Sequence, residues 1–132
     1  MKQKLFNLLF FTLSLGVLPS CEKGEDTEKP AITVAEPSMD DTITLSAEPE
    51  VHLEFTTTDN QGLRELKVKV TNSMGTELFA ENPDVGGLKV FAYHEHFEPL
   101  GISGLTPLTV TLKATDKNDN EEIRIIPIFV RP

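Results

Sequence analysis

The sequence predicts an all-β fold, a two-sheet antiparallel sandwich of seven or eight strands. Three observations lead there. Apolar residues recur at every second position through most of the chain after Pro30, the period of a half-buried strand and not the 3.6 of a helix. The alternating runs are short and are divided by Gly, Pro, Asn and Asp, the residues of tight turns. No run carries the sustained spacing or the capping residues of a helix. Eight runs of this kind in about a hundred residues fit two packed sheets.

Taken in order, "AITVAEP" (31–37) alternates and stops at Pro37, and "TITLS" (42–46) is a short run expected to pair beside it. "VHLEFTTTD" (51–59) puts Val51, Leu53 and Phe55 on one face and His52 and Glu54 on the other. "LRELKVKVTN" (63–72) sets Leu66, Val68 and Val70 against Lys67 and Lys69. "MGTELFA" (74–80) turns at Gly75 into a short strand. "GGLKVFAYHEHFEPL" (86–100) starts at a Gly-Gly break and directs Tyr93 and Phe97 to the core, with Glu95 in the same phase. "LTVTLKATD" (108–116) alternates through Leu108, Val110, Leu112 and Ala114. In "EEIRIIPIFV" (121–130) Ile123 and Ile125 share one phase, while Ile126, Ile128 and Val130 share the other. The switch falls beside Pro127, which cannot donate to a ladder, so a bulge or an edge position is expected there.

The first 20 residues read differently. Lys2 and Lys4 precede "LFNLLFFTLSLGVL" (5–18), an apolar run too short to span a bilayer but suited to a secretory signal peptide. "LPSC" then resembles a bacterial lipobox, with Leu18, Pro19 and Ser20 ahead of Cys21. That resemblance implies cleavage before Cys21 and a covalent lipid on its thiol and new amino group. Cys21 is the only cysteine, so no intramolecular disulfide can form in a chain bound for an oxidising compartment. Several acyl chains make a stable anchor where one would be marginal. Residues 21–29, polar and charged, read as a flexible tether, and residues 30–132 as the folded domain. Lys23 followed by Glu25 and Asp26, with Gly24 between, resembles the surface-export signal of Bacteroidetes-type lipoproteins. The location implied is the outer membrane, on its cell-surface or periplasmic face.

Charge narrows the partners. Removing residues 1–20 takes two lysines and no acid, leaving 10 basic against 21 acidic residues, a net charge of −11. Such a balance excludes nucleic acid and anionic lipid surfaces, which need a basic patch. A protein or glycan partner remains open, although with no Trp and one Tyr stacking platforms for sugars are few.

"TTTDNQGLRELKVKV" and "LTVTLKATDKNDNEEIRI" repeat one layout: an alternating strand ending in Thr-Asp, a polar turn, then another alternating strand. Asp59 and Asp116 are placed to accept hydrogen bonds from the turn amides that follow them. The layout resembles the B–C and F–G corners of bacterial immunoglobulin-like modules, over residues 30–130. "DTEKPAITV", "HEHF" and "PIFV" further resemble a family of Bacteroidetes-type lipoproteins with a single immunoglobulin-like domain. Leu108 stands where such modules often carry a corner tyrosine, so here the corner is expected to be held by packing.

Two stretches offer metal ligands. "DKNDN" (116–120) spells the cadherin calcium motif through Asp116, Asn118 and Asn120. In cadherins that motif lies between two domains, whereas here it falls in a hairpin turn, where Asp and Asn are ordinary turn residues. An EF-hand reading fails, because the sixth place is Glu121 and the twelfth Pro127. In "HEHFEP" (94–99), His94, His96 and Glu98 alternate on one strand face, and imidazole and carboxylate are normal zinc ligands. His52, on the polar face of its own strand, is the further ligand in reach. The competing reading of the row is solvated surface.

For catalysis the sequence offers no free thiol once Cys21 is acylated, no nucleophile-elbow serine and no HExxH. The expectation is a lipid-anchored, non-catalytic binding or structural module of the cell envelope, with the sandwich-end loops and "ENPDVGG" (81–87) as its contact surface. Its alternatives are a zinc- or calcium-binding module and an accessory subunit of a surface nutrient-uptake assembly. No cofactor beyond the lipid is required by the first of these.

Overall fold

The computed structural model describes residues 25–132; the signal segment, the lipobox of Leu18, Pro19 and Ser20, and Cys21 lie outside the described residues. Eight strands follow in chain order: β1 (Ala31–Glu36), β2 (Asp41–Thr44), β3 (Val51–Thr58), β4 (Leu63–Asn72), β5 (Glu77–Glu81), β6 (Val90–Phe97), β7 (Thr106–Asp116) and β8 (Glu121–Arg131). They form a three-stranded sheet in the order β1-β3-β6 and a five-stranded sheet in the order β2-β8-β7-β4-β5.

The core lies where the alternation places it. Val51, Leu53 and Phe55 of β3 and Tyr93 and Phe97 of β6 are buried from one side. Leu66, Val68 and Val70 of β4, with Leu108, Val110 and Leu112 of β7, are buried from the other. Each of these larger side chains contributes about 1.5–3 kcal/mol by leaving water. Leu108, at the tyrosine-corner position, is 2% exposed and is held by this packing.

One expectation needs correction. β2 does not pair beside β1; it joins the other sheet, running parallel to β8 from Asp41↔Ile128 to Thr44↔Arg131. Among the described residues it is the one parallel pairing, the others being antiparallel. A four-residue strand carries too little pattern to name a partner far along the chain.

At Pro127, of the two expected alternatives, there is an edge position and no bulge. The β7–β8 register runs unbroken from Thr106↔Val130 to Thr115↔Glu121, with Pro127 opposite Thr109. The Pro127 carbonyl accepts from the Asp40 N–H at 2.8 Å. A strand residue directs its N–H and C=O to the same side, so the donor Pro127 lacks would face away from β7. β2 begins pairing only at Ile128, which makes Pro127 an edge position on that side. The change of phase is only apparent. Ile126, Ile128 and Val130 are buried, whereas Ile123 and Ile125 face outward at 50% and 60% exposed.

The two Thr-Asp corners form as their residues dictate. Asp59 Oδ2 accepts from the Gln61 and Gly62 amides at 2.8 and 2.6 Å. Asp116 Oδ1 accepts from the Asn118 and Asn120 amides at 2.7 and 2.8 Å. The β5–β6 connection is tied down beside the first corner: Val85 is 1% exposed, and the Leu63 and Asp59 amides donate to the carbonyls of Leu88 and Lys89 at 2.8 and 2.9 Å.

Candidate metal centre

β3 and β6 pair in register over their full lengths, with His52 opposite His96 and Glu54 opposite His94. Side chains alternate, so burying Val51, Leu53 and Phe55 inward sends His52 and Glu54 outward. Burying Tyr93 and Phe97 does the same for His94 and His96. The three imidazoles therefore meet on the outer face of the three-stranded sheet. One ring nitrogen from each lies within 4.8 Å of those from the other two. His52 and His96 meet edge to face with centroids 4.4 Å apart, and His94 and His96 are 5.0 Å apart.

Carboxylates surround the group. His52 Nδ1 faces Glu36 at 3.6 Å, and His96 Nδ1 faces Glu50 at 3.4 Å. Glu36 and Glu50, with Asp41 and Glu48, also line a polar hollow of about 200 Å³ that His52 borders. Of the residues the sequence nominated, His94 and His96 come together and His52 completes the set. Glu98 follows the end of β6, exposed, and is not one of the three grouped side chains. Strand phase alone gave each histidine its face, but the register that sets His52 opposite His96 is a tertiary fact.

The "DKNDN" residues are organised as a turn. Asp116 is fully buried, and Asn120 Nδ2 donates to its Oδ2 at 2.7 Å. Burial is the largest influence on the Asp116 carboxyl and acts upward. The hydrogen bonds from the Asn120 side chain and from the Asn120 and Asn118 amides, with the nearby Arg64 charge, outweigh it, and the net shift is below the ordinary 3.8. Asn118 is exposed.

On the inner face of β6, Tyr93 stacks on Phe55 with centroids 4.8 Å apart, and its hydroxyl donates to the Glu81 carboxylate of β5. Burial first, then the Glu81 hydrogen bond and charge and the Glu95 charge, push the Tyr93 hydroxyl well above its usual range. Glu95 shares the inward phase but is exposed, so its carboxylate reaches solvent.

No family model matches the chain, and no curated protein matches its sequence. Among solved structures, an engineered protein from a structural genomics consortium is similar with a TM-score of 0.55 and 15% identity, over 79% of this chain. The chain spans about one fifth of that protein's length, 20%. The periplasmic chaperone SfaE is also similar, at a TM-score of 0.46 and 12% identity, over 77% of this chain and 58% of the chaperone. Likeness at this identity shows the fold alone, and with the two sheets described above it makes the chain an immunoglobulin-like β-sandwich.

Proposed function

We propose that the chain is a lipid-anchored binding module of the bacterial cell envelope, and that the element by which it binds is a transition-metal ion held by His52, His94 and His96. The observation that carries this reading is the grouping of three imidazole nitrogens on one outward sheet face. Zinc binds histidine nitrogen at about 2.0–2.1 Å, which places three tetrahedral ligands roughly 3.3 Å from one another. Exposed side chains already within 4.8 Å reach that spacing by small rotations. With Nδ1 of His52 and His96 turned to Glu50 and Glu36 in crossed pairs (His96 to Glu50, His52 to Glu36), Nε2 is the atom left to ligate. Carboxylates behind ligating imidazoles fix the tautomer and strengthen the ligand. Glu54, opposite His94 in the β3–β6 register, offers a carboxylate for a fourth position. Imidazole ligates only when neutral, so binding weakens in acid.

Zinc titration of the purified protein tests this. Wild type is expected to bind one equivalent, and the paired substitution His94→Ala, His96→Ala to lose it without unfolding. Absence of zinc binding by wild type, or equal binding by both, ends the proposal.

The anchor is proposed from "LPSC" and from the resemblance to Bacteroidetes-type lipoproteins. Cys21→Ala is expected to abolish acylation and to shift the protein out of the membrane fraction; unchanged fractionation counts against an anchor at Cys21. Whether the module serves a surface nutrient-uptake assembly is read from what co-purifies with it from solubilised membranes.

A further inference from the structure

At one end of the sandwich a second group of ligating side chains converges, with different chemistry. Asp26 precedes β1, Asp59 follows β3 and Asp116 ends β7, and one carboxylate oxygen from each lies within 4.8 Å of those from the other two. Asp59 is 8% exposed and Asp116 fully buried. Their hydrogen bonds are divided with a pattern. Asp59 spends Oδ2 on the Gln61 and Gly62 amides, while its Oδ1 is buried without a partner. Asp26 spends Oδ1 on the Glu28 amide and Asn60 Nδ2, while its Oδ2 is likewise buried and unpartnered. One oxygen is thus left over on Asp59 and one on Asp26, while both oxygens of Asp116 accept, Oδ1 from the Asn118 and Asn120 amides and Oδ2 from Asn120 Nδ2.

Such leftovers are costly. A buried carboxylate oxygen with no donor is unfavourable, and three like charges at this range repel one another. No ion pair between described residues includes any of the three aspartates. Arg64, the nearest guanidinium to act on Asp116, pairs with Asp119 instead.

We propose that Asp26, Asp59 and Asp116 form a calcium site that fastens the segment before β1 to the β3–β4 and β7–β8 turns. The ligands are all oxygen, which selects a hard cation over the metals that favour imidazole or thiolate. Calcium–oxygen distances cluster near 2.4 Å, so two oxygens on one ion lie at most about 4.8 Å apart. The three aspartates meet that limit. Magnesium dehydrates reluctantly and is usually held by one or two carboxylates, whereas three converge here. The segment is already positioned for capture: Asn60 Nδ2 reaches Glu28 at 2.9 Å, and Asn120 Nδ2 donates to the Asp26 carbonyl at 2.9 Å. Asp26 lies five residues beyond Cys21, so occupancy would set how stiffly the domain stands on the chain leading to it.

The test is calcium titration of the purified protein after EDTA treatment, read by calorimetry and by thermal unfolding. One equivalent of CaCl2 is expected to bind, and 5 mM to raise the unfolding midpoint by roughly 5–10 °C. Asp59→Asn and Asp26→Asn should each weaken calcium binding at least tenfold, whereas Asp119→Asn, outside the group, should leave it unchanged. Asp26 lies in the segment before β1, and its substitution leaves the Asp59 turn intact, so its variant tests the site even where Asp59→Asn folds poorly. No response to 10 mM CaCl2, an equal response to MgCl2, or an unaltered response in Asp26→Asn overturns the proposal. Zinc binding by the histidine face should persist in the aspartate variants, and calcium binding in the paired histidine variant, so the two sites are judged separately.

Discussion

Asp116 is a fully buried charge that organises its corner. Its two oxygens collect the Asn118 and Asn120 amides and the Asn120 side chain, which closes the β7–β8 turn from within. Hydrogen bonds to a buried charge are worth roughly 1.5–3 kcal/mol each, less the cost of burying that charge. Because its folded pKa lies below the ordinary 3.8, the ionised group adds stability above that value and loses it as pH falls through the depressed one. Asp26, Asp59, Arg64 and Lys117 bear on the same corner. In EDTA, Asp116→Asn is expected to cost roughly 1–3 kcal/mol at pH 7 by urea unfolding, with the difference from wild type narrowing between pH 5 and pH 3. A difference that stays constant over that interval would show that the ionised carboxylate is not what holds the turn.

Between elements, a close approach is made at Gly62. It has φ +114°, a left-handed conformation that side chains rarely adopt, and a Cβ there would sit 2.4 Å from the Gly87 carbonyl oxygen. The β3–β4 turn and the β5–β6 connection can touch only because Gly62 has no side chain. Gly75 has φ +78° but nothing within 4 Å of its would-be Cβ. Gly62→Ala is therefore expected to destabilise by roughly 2–4 kcal/mol and Gly75→Ala by about 1 kcal/mol, in denaturant titrations; equal costs would refute the close approach. At this scale the limits of sequence reading are also plain. Alternation in β3, β4 and β7 announced which side chains are buried, because period 2 is a local property of the strand. It announced the outward faces of His52, His94 and His96 for the same reason. It could not give the pairing of β2 with β8, the register of β3 on β6, or the meeting of Asp26 with Asp59 and Asp116, since each joins residues far apart in the chain.

For the molecule as a whole, the two sheets are joined by packing and by a polar clasp at one margin. Tyr93 of β6 stacks on Phe55 and donates its hydroxyl to Glu81 of β5, in the opposite sheet. Tyr93→Phe keeps the ring and removes the clasp, leaving the Glu81 carboxylate short of a donor. A loss of roughly 1.5–3 kcal/mol is expected, read as a lower urea midpoint with unchanged slope; an unaltered midpoint would mean that packing alone unites the sheets. The parallel pairing of β2 with β8 has a further consequence, in the order of events during folding. Asp41 finds its partner at Ile128, and nearly the whole domain must be made before that ladder can close. A contact of such long sequence separation pays its loop-closure entropy early and is rewarded late. The β2–β8 ladder therefore closes last, whereas the β3–β6 and β4–β5 ladders need nothing beyond their own strands.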